Sequence, residues 1–228
     1  MPVLFCELDA PLPEPPGPRV HLYAAGAHRP AEAVVHHLTA AERGRADRFR
    51  VPRVRDQFIQ ARGWLRVLLA HYLNCDPAAV PILLADGGKP LLPPETGLHF
   101  NLSHTDGLAL YAVAGAPVGI DVERVRRVPD ALGLAQRFFS PREHALLRDV
   151  PAEQLQPCFF RAWTRKEAVL KATGRGVQSL DCCEVTFLDG EEARVLSLDG
   201  DSTAGARWRL HTWEPAPGFV AAVATERV

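Results

Sequence analysis

Apolar residues recur with helical spacing over two long stretches of this chain. The first stretch covers 57–73, and the second covers about 157–173, where Gly174 supplies a C-terminal stop. A shorter, Arg-rich helix is predicted at 40–50. The apolar residues that define the second long helix are Phe159, Ala162, Trp163, Val169 and Leu170.

Short runs of strand-forming residues, separated by segments rich in proline and glycine, predict a set of mainly antiparallel strands. Residues 10–18 are predicted to form a loop because they contain many prolines. A turn is predicted at 86–90, and a loop between two strands at 103–107. The predicted strands lie near 3–8, 19–25, 80–84, 98–101, 108–113, 119–123, 183–188, 192–197, 207–213 and 219–225.

The chain contains a repeat at an offset of 101 residues. A sequence with capping-box spacing at 39–42 returns at 140–143, and each copy precedes one of the two long helices. The same offset aligns three pairs of residues in the long helices: Phe58 with Phe159, Ala61 with Ala162, and Leu69 with Leu170.

This repeat predicts an α+β fold made of two similar halves, 1–115 and 116–228. Each half would pack a helix on a small, mainly antiparallel sheet. A pseudo-twofold axis would relate the halves and place an active site at their interface. The alternative is that two capping boxes and two apolar helices coincide by chance.

Four aligned positions carry different chemistry in the two copies. The first copy has Val20, Leu22, Arg66 and Ala70, and the second has Asp121, Glu123, Glu167 and Lys171. Asp121 and Glu123 leave the same face of a strand, roughly 7 Å apart. A helix over that face would add Glu167, and three carboxylates repel one another unless a cation joins them. Oxygen ligands suit Mg²⁺ or Mn²⁺; the alternative is an exposed strand edge with salt bridges to nearby arginines.

The composition is that of an ordinary globular protein. The 228 residues are 47% hydrophobic and 23% charged, with a net charge of -1, so no global positive field favours nucleic acid or a membrane. The sequence has no apolar run long enough for a membrane helix and no basic leader, which predicts a cytoplasmic protein. Its five cysteines lack CxxC spacing and are expected to be free thiols.

Several groups along the chain suit contacts with phosphate. Lys89 lies in a Gly-rich turn, and Ser103 and His104 follow a predicted strand. Taken singly, each feature has a plainer explanation: a hairpin turn, a solvated histidine or a soluble helix face. Together they predict a phosphorylated ligand that lies between the halves. The arginines of the basic segment are Arg45, Arg48, Arg50, Arg53 and Arg55.

A set of motifs occurs in a recognisable order along about 10–225. The motifs occupy 88–90, 100–104, 118–123, 138–143 and 163–168, followed by Lys171, Gly174 and Gly176. As a set they resemble the 4'-phosphopantetheinyl transferases, in the single-chain, two-repeat branch typified by the surfactin-synthetase activator. The resemblance implies a Mg²⁺-dependent enzyme that moves 4'-phosphopantetheine from coenzyme A to a serine of an acyl or peptidyl carrier protein and releases 3',5'-ADP.

The resemblance also implies roles for individual residues. The positions that match Asp121, Glu123 and Glu167 hold the metal in the family, and the position that matches Lys171 contacts the pyrophosphate. Glu167 is the candidate base for the serine hydroxyl, directly or through a water molecule. Asp121, Glu167 and Lys171 are therefore the expected catalytic residues. The positions that surround the nucleotide and its phosphates match Arg45, Lys89, Asn101, Ser103 and His104.

The chain departs from the family pattern near Glu42 and Gln57, where family members often carry further basic residues. Binding of the 3'-phosphate is therefore assigned to Arg45 together with Arg53 or Arg55. The segment 124–135, which varies in the family, is expected to shape the docking of the carrier. Because two halves are fused in one chain, a monomer is expected to suffice.

Two other functions fit the same residues. A metal-dependent hydrolase of nucleotide pyrophosphates would use the same acids to activate water. A non-catalytic docking protein would retain the fold for binding alone, although it would have no need for all four of the distinguishing residues.

Overall fold

The computed structural model describes residues 3–7, 13–14, 16–17, 19–26, 30–85 and 87–227. Part of the predicted loop at 10–18, the end of the first predicted strand at position 8, and position 86 of the predicted turn lie outside the described residues. None of the helices in the described ranges is both long and apolar enough to cross a membrane. The five cysteines are unpaired, as predicted.

The N-terminal part of the chain forms a four-stranded sheet packed against a long helix. The order of its strands is β1-β2-β6-β5; β1 pairs with β2 in parallel, and the other neighbours are antiparallel. β3 and β4 form a separate short hairpin. The elements are β1 (Val3–Cys6), β2 (Val20–Gly26), α1 (Ala40–Ala46), α2 (Pro52–Leu73), β3 (Leu83–Leu84), β4 (Pro90–Leu91), β5 (His99–Thr105) and β6 (Leu108–Ala114).

The C-terminal part forms a three-stranded antiparallel sheet of order β10-β11-β7, and β8 pairs with β9 in a separate hairpin. The strands are β7 (Val118–Arg124), β8 (Cys183–Val185), β9 (Val195–Leu198), β10 (Trp208–Trp213) and β11 (Phe219–Glu226). The helices are α3 (Ala131–Phe138), α4 (Pro141–Asp149), α5 (Ala152–Thr173) and α6 (Ser202–Ala206).

The two parts repeat one arrangement, and the α+β prediction is confirmed. The order β2-β6-β5 in the first sheet corresponds to β7-β11-β10 in the second. Each part also has a short helix with a complete capping box, followed by a helix of 22 residues. The boundary drawn between residues 115 and 116 falls in the link from β6 to β7, and the division into two domains stays a prediction.

The capping-box glutamates also tie each short helix to its long neighbour. In the first part, Glu42 Oε2 accepts a hydrogen bond from Arg66 Nε at 2.6 Å. In the second part, Glu143 pairs with Lys166 of α5, and these side chains are 1% and 0% exposed. Glu143 Oε1 also accepts from the backbone N–H of Val185 at 2.8 Å. A charge that is buried so completely requires this partner, because an unpaired one would be strongly destabilising.

The offset of 101 residues does not hold for the strands, so the comparison of individual residues based on it was wrong. Val20 and Leu22 pack with Ile120 in the core between the two sheets, whereas Asp121 lies on the opposite face of β7. A slip of one residue moves a strand side chain to the other face. Since β2 and β7 begin at residues 20 and 118, the counterpart of Asp121 is Tyr23.

The long helices repeat at an offset of 100 residues, because both end on a left-handed cap, at Asn74 and Gly174. This register matches Arg66 with Lys166, the two cations that pair with the capping-box glutamates. The residues opposite Glu167 and Lys171 are then Val67 and His71, rather than Arg66 and Ala70 as predicted.

Several boundaries also differ from the predicted ones. α5 begins at Ala152 and continues through Pro157, although a proline within a helix removes one of its hydrogen bonds. α2 begins at Pro52, whose fixed φ suits the first turn of a helix. β5 extends to Thr105, so Ser103 and His104 lie on a strand rather than in a loop, and α3 was not predicted.

Candidate active site

The two halves meet where β5 of the first sheet lies beside β7 of the second. The two strands belong to different sheets, but side chains of β5 bond to the backbone of β7. Asn101 Oδ1 accepts from the N–H of Ile120 at 2.8 Å, and Ser103 Oγ accepts from the N–H of Val122 at 3.3 Å. Both side chains are buried. This contact between β5 and β7 is called the seam below.

Asp121 lies at the centre of the seam and is 4% exposed. Its Oδ1 atom accepts hydrogen bonds from Ser103 Oγ at 2.8 Å and from Lys171 Nζ at 2.7 Å. Lys171 also donates to the carbonyl of Ile120 and to Ser103 Oγ, each at 3.2 Å. The structure therefore brings together three predicted site residues, from β5, β7 and α5.

Glu167 lies one helical turn before Lys171 on α5 and is 8% exposed. Burial is the main cause that raises the pKa of Glu167, to about 7, and the charge of Asp121 raises it further. Burial and then the charge of Asp121 also raise the pKa of Glu123, which forms a 3.4 Å ion pair with Arg126. The negative charges of Asp121 and Glu123 thus both oppose ionisation of Glu167.

The donor chemistry of this cluster fits a hard divalent cation. Asp121 Oδ2 and Glu167 Oε1 are buried and find no hydrogen-bond partner among the described residues. Two orphaned carboxylate oxygens are costly unless a cation or water satisfies them, and oxygen ligands suit Mg²⁺. Within the described ranges, no three acidic, histidine or cysteine side chains are placed so that they could together hold a metal ion, and the ammonium group of Lys171 contacts Asp121.

A cleft of about 620 Å³ opens beside the seam, between the turn before β4 and the C-terminal end of α5. It brings three cationic side chains together, those of Lys89, Lys171 and Arg175. Lys89 Nζ donates to the carbonyl of Ala172 at 3.2 Å, and burial lowers the pKa of Lys89. The lining residues are Gly87, Gly88, Lys89, Pro90, Asn101, Leu102, Lys171, Gly174, Arg175, Gly176, Gln178 and Ser179.

Arg175 was not among the predicted site residues. It follows the left-handed cap of α5 at Gly174 and forms a two-pronged ion pair with Asp199, with N···O distances of 2.6 and 2.7 Å. One signal was available in the sequence, because Arg175 lies between two glycines of the quoted motif set. Its partner Asp199, which is 24 residues further along the chain, gave no such signal.

The remaining predicted contacts lie elsewhere. His104 lines a small hollow of about 40 Å³ with Gln57 and Trp64, and partial burial and the charge of Lys171 lower its pKa. Arg45 lies over the ring of Phe58, 5.1 Å from its centroid, and Arg53 forms an exposed ion pair with Asp106. Arg45 and Arg53 do not line the cleft or this hollow, and their roles stay predictions.

Lysine occurs at only three positions of this sequence, although lysine and arginine together number 26. Lys89 and Lys171 line the cleft, and Lys166 is fully buried against Glu143. Lys166 and Glu167 are adjacent in the sequence but have different surroundings. Lys166 is buried in the interior of the second half, and the pKa of Glu167 responds to the charges of Asp121 and Glu123.

Comparisons with known proteins agree with the motif set. The sequence model of the family described as the 4'-phosphopantetheinyl transferase superfamily matches residues 117–224. The chain is 37% identical over 213 residues to the 4'-phosphopantetheinyl transferase psf-1 of Bacillus pumilus, covering 88% of this chain and 84% of psf-1. Among solved structures, the chain is similar to the crystal structure of Thermotoga maritima holo-[acyl-carrier-protein] synthase. The sequence identity is 21% and the TM-score is 0.39, over 49% of this chain and 62% of that one.

The chain is also similar to the 4'-phosphopantetheinyl transferase HetI of Nostoc sp. along almost its whole length. The two proteins are 41% identical over 225 residues, which cover 93% of this chain and 92% of HetI. The alignment therefore includes both halves and the seam between them. Identity at this level along almost the whole of both proteins establishes descent, and this chain belongs to the 4'-phosphopantetheinyl transferase superfamily.

Proposed function

We propose that this protein transfers 4'-phosphopantetheine from coenzyme A to a serine of an acyl or peptidyl carrier protein and releases 3',5'-ADP. One observation carries the proposal: a cleft with three cations opens beside two buried carboxylate oxygens that have no partner among the described residues. The cations suit the phosphates of coenzyme A, and the carboxylates suit a divalent metal ion.

Lys89, Lys171 and Arg175 are the proposed phosphate contacts within the cleft. The volume of about 620 Å³ suits a ligand of intermediate size, and coenzyme A carries a diphosphate and a 3'-phosphate. Lys171 has a flexible side chain and can move its ammonium group from Asp121 to an oxygen of the diphosphate. Arg45, Arg53 and His104 are the proposed contacts on the nucleotide side, where the ligand extends beyond the cleft. Asn101 and Ser103 lie at the seam and bond to β7.

Asp121, Glu123 and Glu167 are the residues that would hold Mg²⁺, or Mn²⁺ in its place. When bound, the ion would neutralise charge that builds on the phosphate oxygens during transfer. Ser103 and the β7 backbone fix the position of Asp121, so this ligand is already oriented. Glu167 and Glu123 come from different elements, which allows the carboxylates to approach an ion from two sides.

Glu167 is the proposed base. Its carboxylate can accept the proton of the serine hydroxyl, directly or through a water molecule. The serine oxygen forms a bond to the phosphorus of the pantetheine phosphate, and the bond from that phosphorus to 3',5'-ADP breaks. Lys171 stabilises the negative charge on the leaving oxygen, which belongs to the 5'-phosphate of 3',5'-ADP.

The same proposal covers the partners and the state of the protein. The acceptor is a carrier protein, and its docking is assigned to the segment 124–135, which includes the start of α3. A monomer is proposed because the two halves are fused in one chain, and the cytoplasm is the compartment that the free thiols favour.

Intact-mass measurement of an apo carrier incubated with the protein, coenzyme A and Mg²⁺ tests the proposal. The carrier is expected to gain the mass of one phosphopantetheinyl group, and Glu167→Gln is expected to slow the gain by orders of magnitude. Glu153→Gln, at an exposed position in the first turn of α5, is the matched control and should not change the rate.

The other two functions give different results in the same experiment. Cleavage of coenzyme A in the absence of any carrier would favour the hydrolase. Carrier binding without a change in mass, across a panel of apo acyl and peptidyl carriers, would favour the docking protein and contradict the transferase.

A further inference from the structure

The edge of β7 that faces β5 is closed by side chains instead of a strand. On its other edge, β7 pairs with β11 along its whole length, from Val118 to Arg124. Backbone N–H groups two residues apart point to the same side of a strand, so those of Ile120 and Val122 both face β5. Buried N–H groups need partners, and Asn101 Oδ1 and Ser103 Oγ supply them.

The two contacts lie on either side of one residue, Asp121. Asn101 and Ser103 are two residues apart on β5, and Ile120 and Val122 are two residues apart on β7. The two acceptors therefore have the same spacing along their strand as the two donors. The residue between the two held peptides is Asp121. Its backbone is therefore fixed on both sides from the other half of the molecule, while Ser103 also bonds to its carboxylate.

The hydroxyl group of Ser103 is fully used within the protein. A serine hydroxyl has one hydrogen to donate and two lone pairs to accept with. Here the hydrogen goes to Asp121 Oδ1 at 2.8 Å, and the oxygen accepts from Val122 N–H at 3.3 Å and Lys171 Nζ at 3.2 Å. No hydrogen remains for a phosphate oxygen, which differs from the ligand contact that the family resemblance implies for Ser103.

We infer that Asn101 and Ser103 are positioning residues, which hold Asp121 from across the seam in the orientation that binds the metal. This inference rests on the proposed function, because it assumes that Asp121 is a metal ligand. Groups that orient a ligand typically affect metal affinity by about 10–100-fold when they are removed. The second half alone thus supplies the carboxylates, and the first half sets the direction of one of them.

Binding of Mn²⁺ in the absence of coenzyme A and carrier tests the inference, because it does not depend on turnover. We expect Ser103→Ala to weaken Mn²⁺ binding about 10–100-fold, measured by electron paramagnetic resonance of the free ion. Ser103→Thr keeps the hydroxyl and should restore binding. Arg142→Gln is the control, since it removes an exposed cation that pairs with Glu184, and should leave Mn²⁺ binding unchanged.

Amide hydrogen exchange in the metal-free protein supplies a second readout. Asn101→Leu should speed exchange at Ile120, and Ser103→Ala should speed it at Val122, while the N–H groups of β11 keep their protection. This pattern separates a local loss of the seam bonds from general unfolding.

The possible outcomes separate the inference from the function. Unchanged Mn²⁺ affinity in Ser103→Ala, with weaker binding of coenzyme A in the presence of a chelator, would overturn the positioning role and favour a phosphate contact. Unchanged exchange at Ile120 and Val122 would also overturn it. If the wild-type protein bound no Mn²⁺, the inference would fail, and the transfer to carrier measured by mass would decide separately whether the transferase proposal stands.

Discussion

Replacement of Lys166 by methionine is expected to destabilise the second half strongly. The side chains of Lys166 and Glu143 are 0% and 1% exposed, and the lysine also donates to the carbonyl of Cys183. Methionine fills a similar volume but leaves Glu143 as a buried charge without its cation. Removal of one partner from such a pair costs about 3–5 kcal/mol.

This loss is large compared with the whole stability of a folded protein, which is about 5–15 kcal/mol. For a protein of this size, the change corresponds to a fall in melting temperature of about 6–20 °C. Urea unfolding followed by circular dichroism measures the free energy directly. Arg142→Gln is the matched control, because the Arg142–Glu184 pair has an arginine side chain that is 62% exposed and should contribute about 0–1 kcal/mol.

A double variant distinguishes a buried charge from lost packing. Glu143→Gln removes the charge but keeps an oxygen for the N–H of Val185, so Lys166→Met combined with Glu143→Gln should be more stable than Lys166→Met alone. The reasoning is refuted if Lys166→Met unfolds within about 1 kcal/mol of the wild type. A stable Lys166→Met variant that had lost only activity would instead assign Lys166 to the substrate.

Three further predictions concern the site. Because burial raises the pKa of Glu167 from 4.5 to about 7, the folded metal-free protein holds a proton there that the unfolded chain loses, so its unfolding free energy should fall as the pH rises from about 4.5 to about 7. Urea unfolding with a chelator should show this slope, and Glu167→Gln should remove its largest part. Arg175→Ala should weaken coenzyme A binding by about 10–100-fold in isothermal calorimetry, since a charged hydrogen bond is lost, whereas unchanged affinity would exclude Arg175 from the phosphate site. Chelation of divalent ions should stop transfer to the carrier in the mass assay, and Mg²⁺ or Mn²⁺ should restore it; transfer that continues without metal would contradict the metal site.

Patterns between residues that are close in the sequence predicted much of the fold. Helical periodicity located both long helices, and the capping-box spacing located α1 and α4, because these features depend on residues only a few positions apart. The motif set also identified the family correctly. Ser103 and His104 have the composition of a turn, yet pairing with β6 keeps them extended, and only the tertiary structure could decide this.

Contacts between distant parts of the chain could not be predicted in the same way. The comparison of the two copies placed Val20 opposite Asp121, because a sequence offset has no information about which face of a strand is buried. The pairing of Lys166 with Glu143 spans 23 residues and that of Lys171 with Ser103 spans 68. Both pairs form only when α5 packs against α4 and β5, and such packing is not visible in the sequence.

The placement of the three lysines limits which side chains of the protein can react with amine-reactive reagents. An aldehyde or activated ester would find two side-chain amines within its reach, Lys89 and Lys171, and both line the cleft. Lys166 is shielded by complete burial. Modification of lysine side chains by such a reagent would therefore report occupancy of the cleft, whereas immobilising the protein through its lysines would obstruct that cleft.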